Sequence, residues 1–194
     1  MALTKKRCRI LNIFLVICML TSMCTIVASA VSTYGSAGVP RVQQAKSNWC
    51  WAASGEAILR TCGKSVTQYA FAAKVLNNVI STPNVAASAD QVLSGLNSYG
   101  LNGTLKRTTI GYSTACAEIN SKKPIFMGTL VSGQNVGHAV VIDGYDSTEP
   151  TQKFIVFMDP IDGKYYTQLY NDLITGNGTC PYKWVETIHN IRAS

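Results

Sequence analysis

Apolar positions recur first at helical spacing and then at strand spacing along this chain. Between Trp49 and Thr61, Ala53, Ala57 and Ile58 mark one helical face, and Gly63 supplies a C-cap. Thr67 is placed to cap a second helix running through Tyr69, Ala70, Ala73, Val75 and Leu76. A third spans Ser88 to Tyr99, with Val92, Leu93 and Leu96 on one face and Gly100 closing it. Residues 113–118 predict a short capped helix covering Cys116 and Ile119. After Lys123 the period changes. Pro124–Val131, Gly137–Tyr145 and Lys153–Asp159 are β-branched and aromatic runs, the last two joined by the polar stretch 146–152. Lys164–Tyr170 and Tyr182–Ile188 predict two further strands. Helices followed by antiparallel strands define an α+β class, an N-terminal helical half packed on a C-terminal sheet. No internal repeat or low-complexity tract interrupts it.

The first thirty residues stand outside this pattern. Lys5, Lys6, Arg7 and Arg9 precede an apolar run from Ile10 to Val27, and Ala28-Ser29-Ala30 is a small-x-small cleavage site. Residues 1–30 are therefore predicted to be a signal peptide and the mature chain to begin at Val31, secreted and without stable membrane association. The run is near the lower length limit for a membrane span, but the small-residue site favours cleavage. A lipoprotein reading at Cys24 is disfavoured by Met23, where a small residue is wanted. Residues 31–38, rich in Ser, Gly and Ala, read as a flexible leader, and 39–194 as a single domain, expected to be a monomer. No segment long enough for an inhibitory pro-domain is expected before Cys50.

Removing the signal changes the chemistry. The formal charge of +7 loses four basic residues and falls to +3. The remaining pairs Lys106-Arg107 and Lys122-Lys123 form no nucleic-acid stripe. Cys8, Cys18 and Cys24 leave as well, so Cys50, Cys62, Cys116 and Cys180 remain for an oxidising compartment. If Cys50 is a free nucleophile, at most one disulfide forms among the other three. With no CxxC pair and two histidines, no metal site and no cofactor is predicted.

The densest chemistry lies in residues 44–54, Gln-Ala-Lys-Ser-Asn-Trp-Cys-Trp-Ala-Ala-Ser. A thiol at a helix start meets unpaired N–H groups and the positive end of the helix dipole, both of which favour the nucleophilic thiolate. Gln44, six residues before Cys50, is a neutral double donor suited to an oxyanion. The base must be His138 or His189. His138 heads a strand beside Gly137, where another group can approach closely; His189 reads as an exposed tail residue. An imidazole also needs an orienting acceptor. If strands 137–145 and 153–159 pair about a turn near residue 149, Asp159 lies across from His138. Asp143 pairs too far along, near residue 155, while Asp162 and Asn135 are rivals from adjacent loops.

These residues resemble a family. Gln-x5-Cys-Trp-Ala, then Gly-His-Ala-Val-Val, then Asp-Pro-x-x-Gly, in that order, is similar to the papain-like cysteine peptidases. The likeness is greatest to compact secreted bacterial members, including the avirulence effector proteases of plant pathogens, and covers Val39 to Tyr170. The resemblance implies a papain-like fold and a protein or peptide substrate. It implies Cys50 as nucleophile, His138 as general base and acid, Asp159 where papain has asparagine, and Gln44 with the Cys50 N–H as oxyanion hole. Gln43 misses the six-residue offset. Trp51 follows the nucleophile as in the family; Trp49 has no role beyond packing or lining the cleft. The domain is shorter than papain, so substrate-pocket residues do not transfer. The expected function is a secreted thiol endopeptidase. The alternatives are a cell-wall peptide amidase or transglutaminase-like acyl transferase with the same groups, or a catalytically silent binding module.

Overall fold

The computed structural model describes residues 33–77, 82–134, 136–149, 151–177 and 180–194; the predicted signal peptide (1–30) and Asn135 lie outside them. Four helices precede the strands of the C-terminal half: α1 (Cys50–Thr61), α2 (Gln68–Val75), α3 (Ala89–Ser98) and α4 (Tyr112–Asn120). The strands are β1 (Tyr34–Ser36), β2 (Leu101–Lys106), β3 (Ile125–Val131), β4 (Gly137–Asp146), β5 (Phe154–Asp159), β6 (Lys164–Leu169) and β7 (Tyr182–Ala193). A short helix, α5 (Tyr170–Thr175), links β6 to β7. All pairings are antiparallel, in the order β2-β7-β3-β4-β5-β6, with β1 added against β4.

The helical half forms where local signals agree. Thr67 caps α2 by accepting from the Ala70 N–H, and Ser88 with Gln91 makes a reciprocal capping box at the start of α3. Ala52, Ala53, Ala57, Ile58 and Leu59 give α1 a fully buried face, and α1 packs on β4. Phe71 of α2 is wedged between α1 and α3. A Cβ on Gly55 would come 2.1 Å from its ring, and one on Gly95 2.8 Å, so both positions must be glycine for the three helices to close. Residues 138–145 of β4 are buried without interruption, which explains a continuous apolar run rather than an alternating one.

The structure departs from the sequence reading at several points. Residues 34–36, expected within a flexible leader, form β1. The carboxylate of Asp143 accepts from Ser36 Oγ (3.0 Å) and from the Gly38 and Val39 N–H groups (2.9 and 2.7 Å), tying down the residues that follow. β2 was not predicted because Gly103 interrupts its apolar face. A side chain there would press on Ile188 at 2.9 Å, so the glycine belongs to the packing. α5 was also missed, and β7 continues to Ala193 rather than ending at Ile188. His189 is therefore a strand residue opposite Thr104, with a side chain 13 % exposed beside Glu118, and not an exposed tail histidine.

The β4–β5 register is also shifted. Val141 pairs with Met158 and Gly144 with Val156, so Asp143 bulges out of the ladder instead of facing residue 155. Continued by one step, that register sets Asp159 level with Val140, diagonal to His138 rather than directly across.

Candidate active site

Cys50 is the first residue of α1. Its N-cap position is Trp49, and no side chain caps the helix, so the first N–H groups are left for the cleft. Trp49 and Trp51 explain themselves through the wall they hold. Their indole N–H groups donate to Pro83 O and Val85 O, both at 3.0 Å, and Asn48 donates two hydrogen bonds to Asn84, from its backbone N–H and its side-chain amide. Residues 82–87 are thereby stitched beside the thiol, with Ala86 and Ala87 lining a cleft of about 690 Å³.

His138 projects from β4 into the same cleft and is 8 % exposed. Its Nε2 lies 2.8 Å from Asp159 Oδ1. The diagonal offset is within reach of these side chains. Cys50 lines the same cleft, close enough to the ring to act on its pKa. With Nε2 committed to Asp159, the nitrogen left for the thiol is Nδ1. Burial alone would lower the His138 pKa, but Asp159 and Cys50 outweigh it, and the value is pushed up to about 9.

Asp159 is 4 % exposed and fully engaged. Oδ1 also accepts from the Ile161 N–H at 2.9 Å, and Oδ2 accepts from the Tyr182 hydroxyl at 2.6 Å. Burial would raise its pKa; these donors more than cancel that and hold the carboxyl below its ordinary range. Tyr182 was not singled out from the sequence. Its phenol is pushed well above its usual value by burial and by the Asp159 carboxylate, and its ring packs against the imidazole with centroids 5.1 Å apart.

Gln44 lines the cleft, but its amide is not a free donor. Nε2 donates to Lys46 O (3.0 Å) and Ser47 O (2.8 Å), while Oε1 is buried without a partner. Turning the amide over would set an oxygen against two carbonyls, so these acceptors fix its orientation. The Gln44 N–H donates to Pro160 O at 2.8 Å, and the Gln43 side chain to Ile161 O at 3.1 Å. The glutamine segment thus docks on the Asp-Pro-x-x-Gly turn. Gln68, another residue the sequence did not flag, brackets Gln44 from α2. Its amide donates to Gln43 O (2.9 Å) and accepts from the Ala45 N–H (2.8 Å).

Cys50, His138, Asp159 and Gln44 are therefore brought to one cleft region, and the rivals lie elsewhere. Asp143 serves β1, Asp162 accepts from the Lys164 N–H and the Tyr166 hydroxyl, and His189 sits on β7. Cys50, Cys62, Cys116 and Cys180 are all free thiols.

A helical half whose first helix presents a thiol to an imidazole from an antiparallel sheet is the architecture of a papain-like cysteine peptidase. Comparison with known proteins gives the family. The model of the Peptidase C39 like family matches residues 36–176, and the chain belongs to that family. No curated protein matches the chain. Among solved structures, it is similar to a double glycine motif protease from an AMS/PCAT transporter in complex with the leader peptide. The TM-score is 0.59 at 18 % identity, over 82 % of this chain and 95 % of that one. The peptidase domain of Streptococcus ComA, a bifunctional ABC transporter of a quorum-sensing pathway, gives 0.57 at 12 %, over 80 % and 99 %. The ragweed pollen cysteine protease Amb a 11, in its proform, gives 0.52 at 13 %, over 86 % and 68 %.

Proposed function

We propose that this chain is a secreted thiol endopeptidase acting on protein or peptide substrates through Cys50, His138 and Asp159. One observation carries the reading: a single imidazole is hydrogen-bonded to a buried carboxylate and shares its cleft with a thiol at a helix start. His138 Nδ1 takes the thiol proton, and the Cys50 thiolate attacks the scissile carbonyl carbon. The resulting oxyanion accepts from the Cys50 N–H and from the Gln44 amide, which exchanges one of its two backbone carbonyls for the new charge. The imidazolium then protonates the leaving amine, leaving a thioester on Cys50. Water, deprotonated by His138, attacks the thioester, releasing the acid and restoring the thiol. Asp159 keeps the ring oriented and stabilises its cationic form.

The similar transporter-associated protease was solved with a leader peptide, which supports a peptide substrate here. Export by residues 1–30 and action as a monomer without stable membrane association complete the reading, and a likeness to plant-pathogen effector proteases is compatible with it. The test is cleavage of a mixed peptide library by residues 31–194 under reducing conditions. The wild type is expected to cleave and to be labelled at Cys50 by iodoacetamide, and Cys50→Ala to do neither. Equal cleavage by that variant would overturn the proposal, and labelling without any peptide cleavage would favour the acyl-transfer or binding alternatives.

A further inference from the structure

We propose that Tyr182 is a positioning residue for the reaction, a fourth member of the chain Cys50–His138–Asp159 that sets how strongly Asp159 acts on the imidazole. The inference rests on the reading of Cys50, His138 and Asp159 given above.

Tyr182 opens β7, remote in sequence from the other three. β7 lies against β3, which lies against β4, and this order carries the phenol into the cleft that His138 lines. The side chain makes two contacts with the catalytic groups. Its hydroxyl donates to Asp159 Oδ2 at 2.6 Å, the oxygen His138 does not use. Its ring packs on the imidazole at 5.1 Å, tilted by 34°. One donor on each carboxylate oxygen, with the Ile161 N–H as a third, leaves Asp159 no other way to turn. Hydrogen bonds to an ionised group are the strong ones, and this one draws charge from the carboxylate that holds the imidazolium. Among the described residues, the groups facing His138 are Cys50 from α1, Asp159 from β5 and Tyr182 from β7; Tyr182 itself is faced by Asp159, Cys180 and Tyr166. Burial and Asp159 hold the phenol protonated, so it is a donor throughout the working range.

Removing the hydroxyl leaves more charge on Oδ1, so the imidazolium should hold its proton more tightly. In Tyr182→Phe, kcat is expected to fall roughly tenfold with KM within about twofold, as for a lost bond to a charged group. The alkaline limb of the rate, and of iodoacetamide alkylation of Cys50, should move to higher pH. Placing 3-fluorotyrosine at position 182 keeps the shape and strengthens the donor, and should move the limb the other way, a displacement that a purely structural role would not produce. Unchanged kcat and superimposable pH profiles in both variants would overturn the inference. Asp159→Asn separates the two levels. If it lowers kcat while the Tyr182 variants are silent, this inference alone falls; if it is silent too, the triad reading falls with it.

Discussion

His138 is where single-residue physics is most exposed to test. Its pKa is pushed up to about 9, against 6.5 for an unperturbed imidazole, because Asp159 and Cys50 together outweigh burial. A group raised in this way contributes stability that is fully present below the unfolded value and is lost as pH rises through the folded one. In the proposed mechanism the same proton is delivered to the leaving amine, so peptide cleavage is expected to decline on an alkaline limb near pH 9. Asp159→Asn removes the charge that holds it, and its limb should move toward neutrality with a loss of kcat. A pH–rate profile of kcat/KM for the two proteins measures both effects; coincident alkaline limbs would refute the assignment. Asp159, held below the ordinary carboxylate range, stays ionised throughout this window.

At the level of elements, the site depends on how closely three helices pack. α1 must lie against β4 for its first residue to face His138, and α2 must lie close enough for Gln68 to bracket Gln44. Both conditions meet at Phe71, whose ring fills the space that side chains on Gly55 and Gly95 would take. Gly55→Ala puts a methyl 2.1 Å from that ring in a fully buried setting. The expected cost is about 1–3 kcal/mol of overpacking strain, less about 1 kcal/mol gained from helix propensity. Urea denaturation measures it, and stability equal to wild type would show that Phe71 can move aside. Cleavage should fall along with stability, because α2 carries Gln68 and α1 carries Cys50.

For the whole molecule, the N-terminal arm is part of the domain. β1 pairs with β4, Asp143 collects three donors from residues 36–39, and Gln43 and Gln44 dock on the 159–163 turn. Processing after Ala30 would leave this arm intact. Mass spectrometry of protein secreted by an expressing cell is expected to find Val31 at the N-terminus, and a start beyond Ser36 would contradict the predicted cleavage site. The sequence of the arm carries no sign of this order. Its Ser, Gly and Ala residues carry no period, and the order they acquire comes from Asp143, more than a hundred positions away in the chain.

That contrast runs through the protein. The capping residues Thr67 and Ser88, the helical spacing after Trp49 and the apolar runs after Lys123 are local signals, and they determined the α+β class and most elements from sequence alone. The order of the cysteine, histidine and aspartate motifs pointed to the papain-like cysteine peptidases, and the thiol at a helix start needed no fold to be noticed. Tertiary structure decided the rest. A bulge at Asp143 changed the register, so Asp159 meets His138 diagonally. Sheet order brought Tyr182 to Asp159, and helix packing brought Gln68 to Gln44. Two nearby carbonyls took the amide protons that the sequence had left free on Gln44. The physical reason is range: caps and periods act over a few residues, whereas a hydrogen bond between distant strands exists only once the whole sheet has set its register.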